Sequence, residues 1–283
     1  MKPETWAAVF SKKCYKQDMD RVWAEKHQLL VYFIMAYVFS WIIGIPLALS
    51  VAGKISKLPL SLHYLTAYGP MLSAFLVIYL TKGPQGLKGL FQKIIDWRVG
   101  KKWYIFAFSP ILLFIIMELL MKNSIDFSAL GQVNFLPNLG FLALLLWIFN
   151  SGIGEEVGWR GFALPKLQEK HTAIKSSLIL SIFWIGWHLP AFFYLPNYMQ
   201  MGLTIFPMFA LGVASGAIVY TWLFNSTKGN ILMAILFHGA FNFVTASKAG
   251  EGSVAAILSM LVVVLAVVLI ILYRNKNLSA ARN

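Results

Sequence analysis

The chain has 283 residues, 59% of them apolar and 12% charged, against about 45–50% and 25% in a soluble domain, so it is a chain solvated by lipid with no room for a separate soluble domain. Its net charge of +13 does not indicate nucleic acid, because the Lys and Arg residues lie in short segments between apolar runs rather than on one surface. The single cysteine, Cys14, excludes an internal disulfide and a Cys-x-x-Cys metal or redox site.

A helix needs roughly 20 apolar residues to cross the hydrocarbon core. Runs of about that length predict eight spans, near 29–51, 61–81, 103–121, 139–158, 176–196, 205–225, 231–247 and 254–273. The expected fold class is therefore all-α, a polytopic membrane protein with a buried polar site. It comprises a cytoplasmic segment 1–28, one transmembrane domain 29–273 with a polar core at 139–247, and a cytoplasmic tail 274–283. The first apolar run is longer than the 7 to 15 residues of a signal-peptide core, so it is read as a retained span, although Ser50-Val51-Ala52 resembles a cleavage site. Between the second and third spans, Leu87, Leu90, Phe91, Ile94 and Ile95 recur at helical spacing while Lys88, Gln92, Lys93, Asp96 and Arg98 point elsewhere. That pattern predicts an amphipathic helix on the cytoplasmic surface, serving as a loop anchor or as a gate for substrate. Pro46, Pro70, Pro110 and Pro190 predict kinks, and Gly212 with Gly216 predicts close helix packing on the sixth span.

Segments 1–28, 82–102, 159–175, 226–230 and 274–283 hold 20 of the 24 Lys and Arg residues. The positive-inside rule then places both termini in the cytoplasm and makes the chain a multi-pass integral membrane protein, of the cell membrane if the source is prokaryotic.

Ionisable side chains at membrane depth are costly and so mark function by default. They collect in the second half: Glu155, Glu156 and Arg160 at the end of the fourth span, His188 in the fifth, His238 with Asn242 on the seventh. Glu156 and Arg160, four apart, face each other on a helix, while Glu155 points about 100° away and is left free to act as a general base. A paired charge cluster closing the helix end is the structural alternative. His238 and Asn242, also four apart, can present N–H groups to one point as an oxyanion site, or bond to each other as core residues. His188 lies in Phe183-Trp184-Ile185-Gly186-Trp187-His188-Leu189-Pro190, where a neutral imidazole can accept a proton or bind a metal. Glu118, His63, His27 and His171 are read as interfacial.

The set Glu155-Glu156-x-x-x-Arg160, then His188 after an aromatic, then His238-x-x-x-Asn242 resembles the CPBP intramembrane proteases, the family of the type II CaaX prenyl endopeptidases and the bacteriocin-processing and immunity (Abi) proteins. The resemblance covers roughly residues 139–247. One departure is visible: the family pattern has Phe four residues before the first His, where this sequence has Trp184. The resemblance implies that Glu155 and His188 activate water, that His238 and Asn242 form the oxyanion hole, and that Glu156 and Arg160 support the site. It implies an endopeptidase acting on a lipidated or hydrophobic peptide in the membrane, with no cofactor. Zinc held by two His and a carboxylate is the alternative, although no His-Glu-x-x-His helix is present. A non-catalytic immunity or peptide-binding protein and a transporter are the rivals from other classes, and the oligomeric state is open.

Overall fold

The computed structural model describes residues 27–120, 127–274 and 277–280, so the N-terminal segment with Cys14 falls almost wholly outside the described residues. Those residues are overwhelmingly helical and contain no strand. Helix α1 (Gln28–Val51) buries Tyr32, Phe33, Ala36, Ser40, Gly44 and Leu47, three or four residues apart, as a single stripe. Its other side exposes Ile34, Val38 and Ile42, as lipid contact requires.

A tight helical turn, Leu60–Tyr68, leads into α2 (Gly69–Ile94), which breaks at Gly83. The φ of 62° there is open to glycine at little cost. Beyond Pro84 the helix restarts as the predicted amphipathic segment. Leu87, Leu90 and Ile94 pack on the main core, whereas Phe91 and Ile95 turn outward. Helices α3 (Lys101–Ala107) and α4 (Ser109–Leu120) follow with a 58° bend between them, next to Pro110, which has no amide to continue the ladder.

Helix α5 (142–168) alternates α and π winding: Leu142–Trp147, then π turns at Ile148–Ile153, then Gly154–Gly158, π again at Trp159–Ala163, then Leu164–Gln168. Helix α6 (Ala173–Trp187), capped by Thr172, tightens into Leu189–Phe193 at Pro190. Helix α7 (Pro196–Ser226) breaks at Gly202, α8 (Leu232–Thr245) is short, and α9 (Ser253–Tyr273) completes the array.

Five helical stretches are long and apolar enough to cross a membrane: Gln28–Val51, Leu60–Ile94, Ala173–Phe193, Thr204–Ser226 and Ser253–Tyr273. The bent α3 and α4 pair would make a sixth. The two other expected spans do not qualify, for physical reasons. Helix α5 carries Glu155, Glu156 and Arg160 in mid-course, and α8 has only 14 residues, about 21 Å of helix against a hydrocarbon core of about 30 Å. Helix α8 and the later part of α5 are buried among the other helices, whereas Leu142, Leu145 and Phe149 at the start of α5 face outward.

Backbones approach most closely around α5. A Cβ on Gly158 would stand 2.5 Å from the Pro70 carbonyl, and one on Gly239 would stand 2.9 Å from the Ile148 backbone. Small residues here let α5 lie directly against α2 and α8. The expected role of Gly212 and Gly216 is not seen within the chain: Gly212 faces open space, and Gly216 meets only Tyr220 of its own helix.

Candidate active site

The charges in the middle of α5 are buried. Glu156 and Arg160 are both 0% exposed, and Arg160 Nη1 lies 3.0 Å from each Glu156 oxygen, the pairing that their four-residue spacing requires. The guanidinium sits between two ring faces, 4.5 Å from the Trp184 centroid and 4.3 Å from that of Tyr220. Its Nε and Nη2 find no acceptor among the described residues, so these aromatic faces are what compensates its desolvation.

His238 does not bond to Asn242 on its own helix. Its Nδ1 is 2.8 Å from Glu156 Oε1, while the Asn242 amide donates to Ser151 Oγ at 2.9 Å. The Glu156 carboxylate beside Arg160 is an acceptor, so Nδ1 of His238 carries the proton it shares with Glu156. That leaves Nε2 directed away from the ion pair, and it can donate a hydrogen bond only when the ring is an imidazolium. His188 is oriented in the same fashion, with Nδ1 2.8 Å from the backbone carbonyl of Trp184, which leaves its Nε2 with a lone pair in the neutral ring.

Glu155 projects from the other side of α5. Its Oε2 accepts a hydrogen bond from the indole Nε1 of Trp184 at 2.8 Å, and the side chain is 5% exposed. Glu155 and His238, and His188 and His238, are close enough to interact electrostatically. The six residues singled out from sequence therefore occupy one buried region built by α5, α6 and α8, in two layers. Glu156, Arg160 and His238 form an ion-paired layer, and Glu155, His188 and Asn242 lie beside it.

Three contributors had no sequence signal strong enough to find them. Ser151 sits in the first π turn, one helical turn before Glu155, and holds the Asn242 amide. Its position four residues ahead of Glu155 was the available clue. Asn150, next to it, donates to the backbone carbonyl of Tyr64 and ties the same turn to the Leu60–Tyr68 segment. His63 bonds through Nδ1 to Tyr194 Oη at 2.8 Å and lies close enough to His188 to interact electrostatically. Glu118 is buried within the protein, 4% exposed.

Among the described residues no three His, Cys, Asp or Glu side chains are grouped to hold an ion, and both oxygens of Glu156 and one of Glu155 are already engaged.

Fold and site together define a polytopic α-helical membrane protein with a buried polar site. Residues 137–244 match the model of the type II CAAX prenyl endopeptidase Rce1-like family, a stretch containing every residue of the set. The chain is also similar to CAAX prenyl protease 2 of Methanococcus maripaludis, 25% identical over 232 residues, which cover 77% of this chain and 83% of that protein.

Proposed function

We propose that the chain is an intramembrane endopeptidase in which Glu155 and His188 activate a water molecule to attack a peptide carbonyl. The observation that carries the reading is the division of labour between adjacent carboxylates. Glu156 is consumed by Arg160 and His238, whereas Glu155 keeps one oxygen without a strong charged partner. Glu155 takes the proton from water as hydroxide adds to the carbonyl carbon. The oxyanion receives a hydrogen bond from the second N–H of the Asn242 amide and from His238 Nε2 when that nitrogen carries a proton. Glu155 then returns the proton to the departing amine, and the C–N bond breaks.

The substrate is a membrane-associated peptide bearing a lipid or a hydrophobic segment. The similarity to a CAAX prenyl protease favours a prenylated C-terminal tail. The mechanism is read as metal-free because the donor set is committed elsewhere. Both termini are read as cytoplasmic from the Lys and Arg distribution.

The test uses purified protein in lipid nanodiscs with an internally quenched farnesylated CaaX peptide. Glu155→Gln is expected to lower kcat by about 10²- to 10⁴-fold, the usual contribution of a positioned base, at unchanged protein level. Full activity of that variant would end the hydrolytic assignment of Glu155. Binding without cleavage by the wild type would move the chain to the immunity or scaffold class.

A further inference from the structure

Trp184 stands where the family pattern has Phe, and four features of the site converge on it. Its indole Nε1 donates to Glu155 Oε2 at 2.8 Å. Its backbone carbonyl accepts from His188 Nδ1 at 2.8 Å. Its ring face receives the Arg160 guanidinium at 4.5 Å. Its edge meets the His238 ring at 5.8 Å with the planes 75° apart. A phenylalanine at the same position could keep the ring contacts and the backbone carbonyl, but it has no N–H, so the bond to Glu155 belongs to this chain's own residue.

We propose that Trp184 is a positioning residue of Glu155: its indole N–H binds Oε2 and, beside the Trp159 indole that also interacts with this carboxylate, fixes the rotamer and leaves Oε1 to take the proton from water. A buried carboxylate without such a donor would retain two equivalent oxygens and freedom about its last torsion, which is broad for an sp³–sp² bond. A neutral donor suits the task because, unlike Arg160 toward Glu156, it orients the carboxylate without neutralising its charge. Indole has a single N–H and no acceptor, so the bond has one polarity and cannot invert. The guanidinium over the ring draws electron density from the indole and strengthens the same N–H as a donor. Arg160 thus serves both carboxylates, Glu156 by direct pairing and Glu155 through the Trp184 ring.

The inference rests on the hydrolytic reading of Glu155, so its test has one arm that needs no substrate. The protein has 10 tryptophans, few enough to resolve their indole N–H signals after ¹⁵N-tryptophan labelling in nanodiscs. The Trp184 signal is identified by its loss in Trp184→Phe. It is expected downfield, slow to exchange with deuterium, and moved upfield in Glu155→Ala. A signal that Glu155→Ala leaves in place would overturn the contact whatever the protein's activity. The second arm uses the farnesylated CaaX peptide with Trp184→Phe, and with a benzothienylalanine at 184 that preserves ring shape but replaces N–H by sulfur. A hydrogen bond to a charged group corresponds to about 10- to 100-fold in rate, so both variants should lose kcat by that factor with KM changed less than twofold. Full kcat in the folded benzothienylalanine protein would refute the positioning role. Equal loss in KM and kcat, or loss only in Trp184→Phe, would assign Trp184 to packing instead. If Glu155→Gln is active while the indole signal behaves as expected, the hydrolytic reading fails and the contact stands.

Discussion

Helix α9 runs for 21 residues without an acidic or basic side chain and turns Met260, Val264, Val267 and Ile271 toward lipid. Helix α5 changes its winding repeatedly over a comparable length and buries two carboxylates and a guanidinium at or near zero exposure. The first helix is stabilised by its solvent, and its apolar length alone suffices to identify it. The second is stabilised by its neighbours, because the three charges in its middle have to find partners inside the protein. The proposed activity is therefore assigned to the part of the chain least like a membrane span, and the substitutions below should be costly on α5 and its partners in proportion to how many such contacts they break.

The sharpest test of that difference is Arg160→Ala. It removes a fully buried cation, leaves Glu156 with only His238, and takes away the guanidinium between Trp184 and Tyr220. Breaking one side of a buried ion pair costs about 3 to 5 kcal/mol, so the thermal midpoint in detergent and the protein level in membranes should both fall well below wild type. Wild-type stability of Arg160→Ala would show that the inner layer is solvated after all and that α5 does not differ from α9 in the way described.

Next in size is Asn242→Ala, which acts on the other layer and on chemistry rather than on folding. Asn242 is held by Ser151 across the α5–α8 contact. Loss of one oxyanion donor should lower kcat by about 10²- to 10³-fold with little change in KM. A variant that loses affinity but not kcat would place Asn242 among substrate-binding groups.

How much of this was legible in the sequence follows the same division. Apolar length marked α1, α6, α7 and α9, and the four-residue spacing of Glu156 and Arg160 was enough to pair them, because both features are local. The partners of His238 and Asn242 were not legible, since Glu156 and Ser151 lie 82 and 91 residues away in sequence. Helical spacing shows that two side chains share a face, but not what the opposing helix offers them. Trp184 registered only as an aromatic wall for the same reason: its ring was visible in the motif, whereas the acceptor for its N–H belongs to α5. The π turns left no trace because no residue type demands them, and the two expected spans that fall short in length or apolarity, α5 and α8, both carry polar residues of the site.

A smaller effect is expected at Gly158, where α5 touches α2. A methyl group there would stand 2.5 Å from the Pro70 backbone, and backbone cannot yield as a flexible side chain would. Overpacking of this kind costs about 1 to 3 kcal/mol, so Gly158→Ala should lower the thermal midpoint measurably, while Gly212→Ala, with open space around it, should not. Equal behaviour of the two variants would contradict the close approach that brings the carboxylates into the interior.

The smallest expected effect is that of chelation, and it separates the two chemistries that a buried Glu and His set could support. In the glutamate mechanism the water is activated by Glu155 and His188, and the Nδ1 atoms of both site histidines are already committed, His188 to the Trp184 carbonyl and His238 to Glu156. Nδ1 partners of this sort are also what a zinc ligand would have, so the orientation of the rings does not by itself decide the matter. The carboxylates weigh more: Glu156 is shared between Arg160 and His238, and a zinc ion using it would have to displace a buried cation. Strong chelators should therefore leave the rate of peptide cleavage nearly unchanged, and metal analysis of active protein should find less than one equivalent of zinc. A zinc enzyme would lose its activated water with the ion, so activity that vanishes on chelation and returns with added zinc would make His188, His238 and a carboxylate ligands.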